Sequence, residues 1–257
     1  MGKIQLSGAD NARDLGGLKT KDGGMIKDKL LIRSNRLSAL TKKDINILKD
    51  EYHLRKVVDL RTPMEVEQEM DLLIPGAEIF NIPLFEEEMI GISHEKGNAK
   101  TMLHHMDDVP RMEDIYAMLV KNDFCIRQMH RTMECILNEN NGAVLWHCTE
   151  GKDRCGLISA LVLFLLDVPE DIVMEDYLKT NEAAQKRVKS IHRKLKLMRM
   201  KEEKIQKIES FFVAKEEYLQ ASIDGMKELY GTVDDFMKNG IGIGNREKAR
   251  FKEKVLN

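Results

Sequence analysis

Four short apolar runs, separated by stretches of mixed polarity, punctuate the first 150 residues of this chain. Leu30–Ile32, Val57–Leu60, Ile79–Leu84 and Ala143–Trp146 are each strand-sized, and their alternation with helical pattern predicts an α/β fold. The expected core is a mostly parallel central sheet flanked by helices. Thr41, followed three residues later by Asp44 and by apolar Ile45 and Leu48, reads as a capped helix start. Residues 111–138 carry Ile115, Met118, Leu119, Ile126, Met129, Met133 and Leu137 at helical spacing. Between 86 and 110 the pattern dissolves into Glu, Gly, His and Asp, which predicts a long loop of the kind that carries function.

After Val168-Pro169 the pattern turns long, helical and charged. Val188, Ile191, Leu195, Met198, Ile205, Ile208 and Phe212 trace one apolar stripe. This predicts a helical lid or appendage over about 181–257, on a core of about 11–180, within one domain spanning 1–257. Gly240 through Gly244 reads as a loop before a last helix. With no strand ahead of it, it fits a nucleotide fingerprint poorly.

Composition narrows the function. A third of the 257 residues are charged, yet the formal net charge is −2, which argues against a nucleic-acid binder. Four cysteines show neither disulfide-framework nor zinc-like spacing. A reducing compartment, the cytoplasm, is therefore expected, with leaderless export left open. The start of the chain lacks an apolar signal core, and Leu6 stands where a myristoylation signal would place Ser or Thr. The longest apolar run, Leu157 to Leu166, is about half of a membrane span and reads as a buried helix.

The chemistry concentrates at His147-Cys148-Thr149-Glu150-Gly151-Lys152-Asp153-Arg154-Cys155-Gly156. A Cys and an Arg six positions apart prove little, because Cys125 and Arg131 share that spacing inside an amphipathic helix without glycine. Around Cys148 the context differs. An apolar strand precedes it, Gly151 lets the backbone turn with its N–H groups inward, and a helix begins near Cys155. Strand, loop and helix N-terminus together make an anion site. The same field is expected to favour the thiolate of Cys148, the nucleophilic form. Arg154 lies where its fork could hold two phosphate oxygens. No Gly-Lys-Ser/Thr follows, so a nucleotide-binding P-loop fits poorly.

His-Cys-x-x-Gly-Lys-Asp-Arg-x-Gly resembles the signature of an atypical bacterial family of protein-tyrosine and phosphoinositide phosphatases. Asn11 to Gly17, Ile32 to Leu37, Val58 to Arg61, Asp176 to Leu178 and the stretch from Phe211 to Gly244 resemble the same family, in order. The resemblance implies a cysteine-phosphatase-like fold and hydrolysis of phosphomonoesters through a phosphocysteine on Cys148. It implies phosphotyrosine, phosphoserine/threonine or phosphoinositide substrates. Arg154 would hold the phosphoryl group, and the loop amides of Thr149 to Arg154 would bind its oxygens. Asp153 would be the general acid and then the base, with Asp107 or Asp108 as rivals on an upstream loop. The substrate-binding set is then Thr149, Glu150, Gly151, Lys152 and Cys155, with Lys152 adding charge at the rim. No metal or cofactor is implied.

Cys155 stands where the family has Thr or Ser, whose hydroxyl can bond the catalytic sulfur. Slower phosphocysteine hydrolysis is expected, along with a route to trap an oxidised Cys148 as a disulfide. His147 and Trp146 read as structural. Arg13, Asp14, Asp59 and Arg61 read as ion pairs supporting the sheet rather than as pocket lining. Residues 186–207 hold ten Lys or Arg and two Glu, read first as a solvated face and second as a basic surface for anionic membrane. Two other functions stay in view: a non-catalytic phosphate-binding scaffold, and a rhodanese-like sulfurtransferase. Oligomeric state is not legible in the pattern.

Overall fold

A computed structural model describes residues 2–86 and 110–257. The strands are β1 (Gly2–Lys3), β2 (Arg13–Asp14), β3 (Leu31–Ser34), β4 (Leu54–Asp59), β5 (Glu78–Asn81) and β6 (Ala143–His147). They form one sheet in the order β1-β2-β3-β6-β4-β5. β3, β6, β4 and β5 run parallel, and β1 and β2 add an antiparallel edge. The four expected strands are present with shifted ends. β4 begins three residues early because Leu54 and Lys56 both pair within the ladder, with Arg55 passed over at an irregularity between them. β1 and β2 have two residues each, too few to show any periodicity.

Both faces of the sheet are covered, and alternate residues serve opposite cores. Leu31, Val58, Val144 and Trp146 enter the larger cluster, while Ile32, Val57, Ala143 and Leu145 enter the smaller. On the smaller side lies α1 (Lys42–Asn46), where Thr41 and Asp44 form a reciprocal cap. Asp44 also accepts from the Ser7 and Gly8 amides at 2.8 and 3.0 Å, anchoring the N-terminal segment. α2 (Pro63–Gln68) follows β4, capped by Thr62 and Glu65.

The helical region predicted over 111–138 is two helices, α3 (Met112–Leu119) and α4 (Asp123–Leu137). The break falls at Asn122, whose side chain accepts the Cys125 amide and caps α4. α5 (Asp153–Leu165) follows β6 and is apolar around nearly its whole circumference because the core surrounds it. No helix among the described residues is long and apolar enough to cross a membrane.

The C-terminal region is α6 (Glu170–Leu178), α7 (Thr180–Leu197), α8 (Glu202–Ser210), α9 (Glu216–Tyr230), α10 (Val233–Asp235) and α11 (Asn245–Val255). From Ala214 onward it is built into the main core through Tyr218, Leu219, Ile223, Met226, Phe236 and Phe251. The appendage is thus narrower than 181–257. α7 and α8 close on a small cluster of their own, with Leu195, Ile205 and Ile208 buried against Ile191, Met200 and Phe212. Met198, expected on the apolar stripe, is exposed in the turn between them.

Candidate active site

β6 lies between β3 and β4, with His147 in register with Ser34 and Asp59. The segments leaving all three strands therefore meet at one edge of the sheet, the carboxyl edge where α/β folds place ligands. Cys148 is the first residue past β6 and is only 1% exposed. The chain then turns through Thr149 to Lys152 and enters α5 at Asp153.

The carbonyls of this turn are tied outward. Thr149 O accepts the Arg36 amide at 3.2 Å. Glu150 O accepts Asn11 Nδ2 at 2.9 Å, and Gly151 O accepts Asn11 Nδ2 at 3.2 Å and Arg33 Nη2 at 3.0 Å. In a trans peptide the C=O and the next N–H point in opposite directions. The N–H groups of Glu150, Gly151 and Lys152 therefore point into the loop. At Gly151 φ is +66°, and a Cβ there would lie 2.6 Å from Ser34 O and 2.7 Å from Asn35 N. Backbone conformation and backbone proximity both require glycine.

Arg33 and Asn11 are themselves held. Asp176 pairs with Arg33 and, at 3.3 Å, with Arg13 Nε, while Arg13 also donates to Asn11 Oδ1. Burial alone would raise the Asp176 carboxyl, but the two guanidinium charges outweigh it and hold it below its ordinary value. Burial, together with neighbouring Arg33, brings the Arg13 guanidinium down to about 10. Asp14 accepts the Gly16 and Lys29 amides at 2.9 and 2.7 Å.

Arg154, in the first turn of α5, is 1% exposed and faces Glu65, itself 3% exposed. Nη1 lies 2.6 Å from Glu65 Oε2 and Nη2 lies 2.8 Å from Oε1. The pairing is end-on, through both terminal nitrogens of the guanidinium. Glu65 Oε1 also accepts the Thr149 hydroxyl at 2.8 Å, and Oε2 accepts the Thr62 amide at 2.9 Å. One carboxylate thus ties the helix after β4 to the loop after β6.

Asp153 Oδ1 accepts from Tyr116 Oη at 2.6 Å and from Lys152 Nζ at 2.7 Å. Tyr116 and Tyr177 lie Oη to Oη at 2.7 Å. Burial and the Asp153 charge push both phenols well above the ordinary value, so they stay protonated. Tyr116 spends its single proton on the carboxylate, which makes Tyr177 the donor to Tyr116. Lys152, expected at the rim, is 2% exposed, with its ammonium held between Asp153 and the Tyr218 ring. Glu150 is the outward member of the loop and pairs with Arg187 of α7 and, at 3.6 Å, with Arg36.

Cys155 is fully buried, and its thiol donates to Trp146 O at 3.6 Å. The other spacing match, Cys125, lies in α4, where burial raises its thiol to about 12. Trp146 is buried and donates to Ser159 Oγ at 2.9 Å. His147 stands 2.9 Å from Asp71 and 3.8 Å from Asp59, while Arg61 contacts Asp71 at 2.9 Å and Asp59 at 2.8 Å. Burial would lower the His147 imidazolium, but Asp59 and Asp71 outweigh it and raise it. Asp59, Asp71 and His147 have the composition of a metal site, but Arg61 already meets their charge, so a cation fits poorly. Asp107 and Asp108 lie outside the described residues.

The description "Tyrosine phosphatase family" belongs to a sequence model that matches residues 4–257. The chain belongs to that family. A Cupriavidus necator protein assigned to the tyrosine-protein phosphatases is 27% identical over 236 residues, covering 91% of this chain and 82% of the relative. The triple specificity protein phosphatase PtpB of Mycobacterium tuberculosis is 24% identical over 98% of both chains. A tyrosine-protein phosphatase of Nostoc commune is 31% identical over 121 residues, 47% of this chain and 38% of its own.

This tyrosine phosphatase brings Cys148, Asp153 and Arg154 together on one turn and the start of one helix. Glu65, Tyr116 and Tyr177 complete the surroundings and were not foreseen as parts of the site. Thr62 and Glu65 cap α2, and nothing local points Glu65 at Arg154. Tyr177, Asn11 and Arg33 lay within stretches noted for resemblance, without a role.

Proposed function

We propose that this tyrosine phosphatase hydrolyses phosphomonoesters with Cys148 as nucleophile, Arg154 as phosphoryl clamp and Asp153 as general acid and base. The observation that carries these roles is the outward tethering of the loop carbonyls, which turns consecutive amides toward a bound anion. A trigonal-bipyramidal phosphoryl group spreads its charge over three equatorial oxygens, and preorganised donors stabilise that charge without reorganising. The Cys148 thiolate attacks phosphorus, forming the S–P bond as the ester O–P bond breaks. Asp153 gives its proton to the departing oxygen. Water then attacks the phosphocysteine, Asp153 takes a proton back, and inorganic phosphate leaves with the thiolate restored. Oδ2 of Asp153 is the oxygen that Tyr116 and Lys152 do not use, and the proton transfers of this reading are assigned to it.

Thr149, Glu150, Gly151 and Lys152 contribute backbone N–H groups to this cradle. Beside it a polar cavity of about 330 Å³ is lined by Arg36, Arg61, Glu65, Glu69, Thr149 and Arg187 among others. Such lining suits a charged substrate. Phosphotyrosine is the primary substrate class, with phosphoserine/threonine and phosphoinositides beside it; the name of the relative PtpB gives that protein a triple specificity. A reducing cytoplasm suits four cysteines that form no disulfide.

The test is phosphate release from phosphotyrosine, phosphoserine and phosphothreonine peptides and from each phosphoinositide, for wild type and Cys148→Ser. Release by wild type alone supports the reading, and no release from any substrate overturns it. Asp153→Asn should lose the limb of the kcat–pH profile that reports the acid; retention of that limb refutes the role given to Asp153.

A further inference from the structure

The α7–α8 hairpin carries a feature that catalysis does not use. Its inner seam is satisfied by Leu195, Ile205 and Ile208. Its tip is not: Leu197 is 84% exposed and Met198 57%, adjacent in sequence at the turn, where Arg199 adopts φ +55°. A single exposed leucine needs no explanation, but two consecutive large apolar side chains at the end of a projecting hairpin do.

Charge surrounds that tip. Residues 186–207 hold ten Lys or Arg and two Glu, a net of +8 in a chain whose formal net charge is −2. Lys194, Lys196, Arg199, Lys201 and Lys204 are exposed around the turn. The two acids in the segment, Glu202 and Glu203, lie at the start of α8. A solvated helix face accounts for the lysines but would place Ser or Asn, not Leu-Met, at the turn. A polyanion such as nucleic acid also accounts for the lysines and leaves the apolar pair unused.

We propose that the hairpin tip docks on an anionic lipid bilayer. Leu197 and Met198 enter the headgroup boundary, and the surrounding Lys and Arg side chains lie against acidic headgroups. Both halves of the feature are then used, by apolar burial and by surface potential. The hairpin base is tied to the catalytic loop. Arg187 pairs with Glu150 and its guanidinium lies 4.9 Å over the Phe212 ring. Asn181 exchanges hydrogen bonds of 2.8 and 2.7 Å with Ala214. Ten helical residues separate Arg187 from Leu197, roughly 15 Å along α7. Docking therefore holds the phosphate loop close to the membrane plane and suits attack on phosphomonoesters displayed there. The docking itself does not depend on which phosphomonoester is cleaved.

The experiment is co-sedimentation of the full chain with vesicles of phosphatidylcholine alone or mixed with phosphatidylserine. Wild type should bind the mixed vesicles and not the neutral ones, and salt should release it. Leu197→Ser with Met198→Ser should weaken binding tenfold or more. Each of Lys194→Ala, Lys196→Ala and Arg199→Ala should weaken it about fivefold. All variants should keep wild-type turnover of a small soluble phosphomonoester, because none of these residues touches the loop, and that turnover also reports folding. Binding that ignores phosphatidylserine, or that survives the Leu197 and Met198 changes, overturns the proposal. Loss in the lysine variants alone, with release by heparin, assigns the surface to a polyanion and overturns it equally.

Discussion

Replacing Glu65 with glutamine isolates what the carboxylate does for Arg154. The side chain keeps its volume and its place at the start of α2. In the native site its two oxygens meet Arg154 at 2.6 and 2.8 Å, the Thr62 amide at 2.9 Å and the Thr149 hydroxyl at 2.8 Å. Glutamine has one acceptor. The Thr62 amide cannot turn, so the amide oxygen faces Thr62 and Arg154 Nη1, and the Gln NH2 faces Thr149 and Nη2. The Thr149 hydroxyl rotates to accept, but Nη2 then meets a donor. The Arg154 guanidinium, 1% exposed, loses the charge of Glu65 and one of its two charge-assisted bonds to that side chain. Removing one partner of such a buried pair costs about 3–5 kcal/mol. For a chain of this size that is a fall in Tm on the order of 10 °C. An anion in the loop supplies the missing charge. Thermal unfolding with and without saturating inorganic phosphate should therefore show a larger phosphate-dependent gain in Glu65→Gln than in wild type. An unchanged Tm would refute the pairing. A lower Tm with equal phosphate gains would show that the bound anion does not reach Arg154.

Tyr116→Phe removes one donor from Asp153 and strands the buried Tyr177 hydroxyl. We expect about 1–3 kcal/mol of lost stability and a fall in kcat with KM held; unchanged kcat would mean that Tyr116 does not position Asp153. Cys155→Thr should speed phosphocysteine hydrolysis, measured as the slow phase after a burst. Unchanged or slower turnover would assign the new hydroxyl to the Trp146 carbonyl that the thiol now faces at 3.6 Å. Asp59 and Asp71 hold the His147 imidazolium above its ordinary value of 6.5 in the fold, so its stabilisation is full below that pH and is lost as pH rises through the folded value. Chemical denaturation of His147→Asn should show no loss over that alkaline interval, and a persisting loss would place its origin elsewhere.

The turn after Cys148 was legible because its requirements are local. A buried strand, a glycine and a helix start are written in the fourteen residues from Ala143 to Gly156, and together they separate Cys148 from the equally spaced Cys125. For Asp59 and Arg61 the support reading was within reach, since they pair with each other at the end of β4, although Arg61 also lines the polar cavity. Arg13 instead meets Asp176 of α6, and Asp14 meets the Gly16 and Lys29 amides. The break at Asn122 was harder, because the apolar spacing runs across it and only the Asn cap marks the stop.

What the sequence by itself determined is the kind of chemistry and the class of fold, since backbone geometry at Gly151 and strand-helix alternation depend on neighbours in the chain. Only the tertiary structure decided which groups hold that chemistry in place. Glu65 reaches Arg154 across 89 positions and Tyr116 reaches Asp153 across 37, pairings set by the parallel sheet order and helix packing rather than by any local pattern. The same holds for the C-terminal helices. Apolar stripes alone do not say which core they fill, so packing assigned α9 and α11 to the phosphatase core and left α7 and α8 to project. Side-chain burial is a property of the assembled surfaces, and a one-dimensional pattern holds only the capacity for it.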